Sequence, residues 1–147
     1  MTTAEILVIM RQFIGEAAAV LDGEIEFYSD ADLLGHTKTA DFLLKAAGVV
    51  TAVTIDPDAE TIIPDPVDAI GLLLAYKGSI ILLRGDLTKR VRLGELGVSF
   101  RSGATSITTT EATRSLNTGA NNLATAFENL LTLYLSDDPN KVLTRLL

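Results

Sequence analysis

The 147-residue sequence has no cysteine, no tryptophan and one histidine, His36. The absence of thiols excludes disulfides, thiolate nucleophiles, cysteine-ligated zinc and iron–sulfur clusters together. A single imidazole excludes a His-rich metal site within one chain and leaves any Ser-His-Asp arrangement dependent on that ring. His36 falls in a helical stretch near Lys38 and Asp41 with no nucleophile recognisable around it, which reads as an ordinary helix side chain. Basic charge is also scarce. Twelve Lys and Arg against nineteen Asp and Glu leave a net charge of −7, unfavourable for a general electrostatic grip on nucleic acid.

Phosphate-binding and nucleophile motifs are missing as well. There is no Walker A loop, dinucleotide fingerprint or nucleophile elbow, and Gly94, Gly97 and Gly103 lack the spacing that cradles phosphate. Asp56, Asp58 and Glu60 have the alternation of a calcium loop. Thr61 stands where such a loop needs glycine, however, and Val67 where it needs a bidentate glutamate, so a solvated turn is expected. Asp30 and Asp32 sit at a helix start, where the dipole accounts for them without acid–base chemistry. The expectation is a protein that is not an enzyme and carries no cofactor or metal.

Long apolar runs are absent too. Residues 67–83 are the most membrane-like stretch, but Asp68, Lys77 and two glycines interrupt it, and a spanning helix needs roughly 20 apolar residues. Residues 1–13 lack a basic leader and carry Arg11 among their apolar residues, so they do not read as a secretory signal. No membrane association is expected. What the sequence does have is grease: 48% apolar residues and a mean hydropathy of +0.33. Part of that surface is expected between subunits. No repeat, low-complexity tract or linker divides residues 1–147, which read as one domain.

The expected fold is mainly α, a small helical bundle with a short β-hairpin or extended arm before the long C-terminal helix. Thr2 and Glu5 have capping-box spacing ahead of Ile6, Ile9, Met10, Phe13 and Ile14, which predicts a helix to about residue 20. Ser29 and Asp32 offer a second cap before Leu33, Leu34, Phe42, Leu43 and Leu44, and that helix should end near Gly48. Residues 49–63 read as a short extended or hairpin passage turning at Asp56-Pro57-Asp58. Pro66 should open a third helix to about Arg84, with Gly71, Ala75 and Gly78 on one side for close packing and a break at Gly85-Asp86. Residues 87–96 suggest a further helical turn or two. Residues 97–101 and 104–108 alternate about Ser102-Gly103 and predict an arm of two short strands. Thr108 and Glu111 should cap the last helix. Its stripe of Leu116, Ala120, Leu123, Phe127, Leu130, Leu131 and Tyr134 opposes Asn117, Asn121, Thr125, Glu128 and Thr132. Asp137-Asp138-Pro139 should stop it, leaving residues 138–147 as a tail able to dock on the body or a neighbour.

Charge is unevenly spread along the chain. Residues 1–68 hold three basic and thirteen acidic side chains, whereas residues 84–114 hold six basic (Arg84, Lys89, Arg90, Arg92, Arg101, Arg114) and three acidic. A solvated basic face accounts for this blandly. The sharper expectation is that the basic segment of one copy meets the acidic half of another, a heterologous contact that closes into a ring when the rotation permits.

The chain resembles the head-tail connector, or adaptor, proteins of tailed bacteriophages. The parts that carry the resemblance begin with Arg11-Gln12-Phe13-Ile14-Gly15-Glu16 closing the first helix, and Phe27-Tyr28-Ser29-Asp30-Ala31-Asp32-Leu33-Leu34 entering the second. They continue with Ile62-Ile63-Pro64-Asp65-Pro66 leading to Leu73-Leu74-Ala75-Tyr76. Last comes Val98-Ser99-Phe100-Arg101-Ser102-Gly103-Ala104-Thr105-Ser106-Ile107-Thr108 ahead of the final helix. Together they cover most of the chain, and their order and spacing weigh more than any one of them.

The resemblance implies a virion structural protein at the head-tail interface, assembled in the host cytoplasm as a ring, twelvefold in that family, beneath the portal. Its partners would be other copies of itself, the portal protein and a tail-side connector or stopper protein, with DNA only as cargo in the channel. It makes the arm, residues 97–108, a candidate for contacts with the portal or neighbouring subunits through Val98, Phe100, Arg101 and Ile107. The basic Arg84, Lys89, Arg90, Arg92 and Arg114 and the tail's Leu146 and Leu147 complete the candidate interface. The alternative is a small helical nucleic-acid-binding regulator using the basic segment 84–114 on a phosphate backbone, although no helix-turn-helix is recognisable.

Overall fold

The computed structural model describes the backbone of residues 1–18, 28–92 and 103–136, and the side chains of 1–15, 28–85 and 117–136. Within them lie four helices and one two-stranded antiparallel sheet: α1 (Thr3–Ala18), α2 (Asp30–Ala46), β1 (Thr54–Asp56), β2 (Thr61–Ile63), α3 (Asp68–Arg92) and α4 (Gly103–Ser136). The protein is a mainly helical bundle with a short β-hairpin.

Two of the three predicted caps form. Glu5 Oε2 accepts from the Thr2 amide at 2.6 Å and Thr2 Oγ1 from the Glu5 amide at 3.3 Å, satisfying donors that the first turn of α1 leaves without helical partners. Ser29 and Asp32 make the same reciprocal pair at the start of α2. At the other end of α2 the Val49 amide donates to the Leu44 carbonyl and the Gly48 amide to Lys45, a Schellman closure that needs the left-handed Gly48 at φ +89°. It turns Val49 into the core.

α3 is the central element, and α1, α2 and α4 all pack on it. Its small residues explain how closely α1 and α2 approach. A Cβ built on Gly71 would fall 2.6 Å from Met1 Sδ, and one on Gly78 would fall 2.9 Å from Met10 Cε and 3.4 Å from Thr37 Oγ1. Ala75 between them is wholly buried. The glycine-lined side of α3 is therefore filled by Met1 and by Met10 of α1 and Thr37 of α2, and is not held open for another subunit.

Three boundaries differ from the sequence reading. α3 begins at Asp68 and runs unbroken through Gly85-Asp86 to Arg92. Propagation adds one hydrogen bond per residue fixed, without a new nucleus, and outweighs the roughly 1 kcal/mol cost of glycine. For the same reason α4 starts at Gly103, not at the Thr108–Glu111 cap. Residues 104–108 are thus helical, and the predicted two-stranded arm does not exist there; residues 97–102 lie outside the described residues. Among the described residues the hairpin is the earlier one, with Ile55 paired to Ile62 and both side chains buried. Asp56 Oδ1 accepts from the Asp58 and Ala59 amides at 3.0 and 3.2 Å, so its carboxylate closes the turn.

The core joins Ile6, Met10 and Ile14 of α1, Leu33, Leu34 and Leu44 of α2, Ile55 and Ile62 of the hairpin, Leu73, Leu74 and Ile80 of α3, and Ala120 and Phe127 of α4. Phe13 stacks on Tyr76 at 4.5 Å between ring centroids, and Lys77 Nζ lies 4.9 Å from the centre of the Phe127 ring. The predicted α4 stripe forms from Ala120 onward: Leu123, Leu130, Leu131 and Tyr134 join Ala120 and Phe127 against the core, while Asn117, Asn121, Thr125, Glu128 and Thr132 are exposed; the Leu116 side chain lies outside the described residues.

Candidate assembly surfaces

One end of the molecule gathers acid. The Ile62 amide of β2 donates to Thr3 Oγ1 at 3.0 Å, and the Met1 ammonium donates to the Pro66 carbonyl at 2.9 Å and pairs with Asp68 at 3.2 Å. These bonds bring the starts of α1 and α3 and the hairpin together. Glu5, Asp56, Asp58, Glu60, Asp65 and Asp68 all stand exposed there. Hydrogen bonds from the Thr2 amide and then its hydroxyl hold the Glu5 carboxyl below its ordinary pKa, so Glu5 stays charged.

Four basic positions lie toward the far end of α3. The helix carries Asp68 at its start and Arg84, Lys89, Arg90 and Arg92 in its second half; its 25 residues span about 37 Å at 1.5 Å per residue. Along this helix the acidic start and the four basic positions are therefore separated in space. Arg84 is exposed. Lys89, Arg90 and Arg92 lie on the last turns of α3, and Ile107 and Arg114 on the first half of α4; their side chains lie outside the described residues. Val98, Phe100, Arg101, Leu146 and Leu147 also lie outside them.

Two apolar surfaces were not singled out from the sequence. Met1, Ala4, Glu5, Val8, Ile9, Asp68 and Leu72 line an open groove of about 540 Å³ between α1 and the start of α3. Val8 in its wall is 64% exposed. On α2, Phe42 is 71% exposed and Leu43 is 40% exposed, although the sequence pattern groups both with the buried Leu33, Leu34 and Leu44. Helical arithmetic separates them: Phe42 lies nine residues, or 180°, from Leu33. Val8 is likewise 200° from Ile6. That off-stripe position was the available signal.

Among the described residues no three His, Asp or Glu side chains are placed to hold a metal ion, and no helix is long and apolar enough to cross a membrane. His36 is half-buried; desolvation pushes its pKa down, with Asp32 opposing, so it is neutral at pH 7. Asp41, nearly buried, is occupied structurally by Lys45 at 2.5 Å and by Thr51. Arg11 pairs with Asp30 and donates to the Tyr28 carbonyl at 2.9 Å, fastening α1 to the entry of α2. Comparison with family models, curated proteins and solved structures gives no significant match.

Proposed function

We propose that the protein is a head-tail connector of a tailed bacteriophage: a structural subunit that forms a ring beneath the portal and continues the DNA channel toward the tail. The observation that carries this reading is the polarity of the subunit. Acid collects at the joined starts of α1, α3 and the hairpin, and the basic positions lie up to about 37 Å away along α3. Opposite charges at opposite ends favour head-to-tail contacts between copies and disfavour like-to-like ones.

Two further features support it. The order of motifs from Arg11-Gln12-Phe13 to Val98-Ser99-Phe100 follows the connector pattern, and the bundle is mainly helical with a small hairpin. A net charge of −7 also suits a channel lining, since a wall that does not grip phosphate lets a duplex slide. Portal, tail-side partner and virion location belong to this proposal. Adding the purified protein to portal complexes and imaging them by electron microscopy tests it. A ring of added density coaxial with the portal is expected, and portal particles without added density contradict the reading.

A further inference from the structure

We propose that the groove between α1 and α3 receives the exposed Phe42 of a second copy of this chain. The inference deepens the ring reading, on which it rests, by naming an apolar contact between neighbouring copies in addition to the attraction of the charged ends.

Each side of the contact has its own chemistry. α2 turns Leu33, Leu34, Thr37, Ala40 and Leu44 inward and leaves Phe42 standing 71% exposed. Lys38 and Lys45, four residues before it and three after, share its helical face, and both are exposed. Lys45 is paired with Asp41, whereas Lys38 makes no ion pair among the described residues. The knob is thus an aromatic ring on a net positive patch.

The groove has the opposite character. Ala4, Val8 and Leu72 give it apolar walls, and Glu5 and Asp68 place carboxylates at its rim. Its volume of about 540 Å³ exceeds that of a phenyl ring and leaves room for neighbouring side chains. The Asp68 side chain is 85% exposed despite its pairing with the terminal ammonium, so it keeps a face toward a partner. Lys38 approaching Glu5 or Asp68 while Phe42 enters between Val8 and Leu72 satisfies charge and apolar surface together.

The two surfaces belong to different flanks. The groove is walled by α1 and α3, and the knob is on the side of α2 turned away from α3. Neither is complementary to itself, so a pair of copies leaves one groove and one knob unfilled, and addition continues until a ring closes or a filament grows.

A chain without cysteine makes the test direct. Val8→Cys and Ala46→Cys change exposed positions, the first in the groove wall and the second one turn from Phe42, which stays in place, and a short bis-maleimide joins only thiols that come close. Equimolar Val8→Cys and Ala46→Cys proteins, mixed at high concentration, should give a covalent dimer on a denaturing gel, at least fivefold above either protein alone. The double variant should give a ladder of multimers. Adding Phe42→Ala, or Lys38→Glu at low salt, to the double variant should reduce the ladder several-fold. A mixture that cross-links no better than its components, an Ala46→Cys protein that dimerises equally well alone, or a ladder unchanged by Phe42→Ala overturns the proposal. Rings forming on portal complexes without the cross-link would overturn this contact and leave the connector reading standing. The cross-link without rings would do the reverse.

Discussion

Thr51 Oγ1 donates to the Asp41 carboxylate, binding the segment ahead of the hairpin to the side of α2, with Lys45 Nζ on the other oxygen at 2.5 Å. Thr51 is 5% exposed and Asp41 is 8% exposed. Removing the acceptor leaves a buried hydroxyl without its partner, which costs about 1–3 kcal/mol. Asp41→Ala should lower stability by that amount in urea unfolding, and Thr51→Val by less, since it removes a donor while keeping the shape. Equal stability of Asp41→Ala and the parent would show that the bond contributes nothing.

The approach of α1 and α2 to α3 depends on Gly78. Met10, fully buried, and Thr37 occupy the space a side chain there would need, and Thr37 Oγ1 lies 3.2 Å from Met10 Sδ. Gly78→Leu should lower stability by about 1–3 kcal/mol or more through overpacking. Gly85→Ala provides the contrast, because nothing lies within 4 Å of a Cβ there. It should raise stability by up to about 1 kcal/mol as a helix-interior glycine is removed. Thermal unfolding of the two variants checks both signs.

Ser79 Oγ is buried on α3 and has no hydrogen-bond partner among the described residues. Ser79→Ala removes an unsatisfied polar atom from the core and improves helix propensity, so stability should rise by about 1 kcal/mol. A fall of similar size would show that the hydroxyl has a partner the described residues do not supply.

Stability should decline in two stages toward acid. His36 has its pKa lowered by burial, so the unfolded chain binds that proton first; stability falls as pH drops through the ordinary value near 6.5 and levels below the folded value. Glu5 and Asp32 are held below their ordinary values by the hydrogen bonds of Thr2 and Ser29. Their contribution is present above the ordinary carboxylate values and is lost as pH falls through the folded ones. Urea midpoints between pH 8 and 3 should show both stages, and His36→Gln should remove only the upper one. An upper stage that persists in His36→Gln would assign it to another group.

If the separated charges drive assembly, Arg90→Glu with Arg92→Glu should weaken association and make it less sensitive to salt. Light scattering measures this as a lower oligomer mass for the variant under conditions where the parent assembles. Unchanged mass would count against the basic segment. Tight, salt-sensitive binding of the isolated parent to duplex DNA would instead favour the regulator alternative.

Local signals in the sequence translated well into structure. Thr2 with Glu5 and Ser29 with Asp32 are short-range patterns whose partners are three residues away, and both caps form as the spacing dictates. The apolar stripe around Ala120 and Phe127 was legible because its period is that of the element itself. The failures came where two local tendencies compete. Gly85-Asp86 and residues 104–108 carry breaker and strand signals, yet both join helices already nucleated, and helix continuation prevails. The small residues Gly71 and Gly78 announced close packing without saying with what, because Met1 and Met10 lie about 70 positions away in sequence. The sequence pattern groups Phe42 with Leu33, Leu34 and Leu44 although it lies 180° from Leu33, and Val8, which falls outside the α1 stripe, is exposed as that position dictates.

The most direct measurement is the mass of the species that forms when the protein meets portal complexes, by native mass spectrometry. The account predicts a discrete product in which one closed ring of identical 15.7 kDa chains is added to each portal, with few partly filled states. Portal complexes of unchanged mass, with the protein still free as single chains, would contradict it.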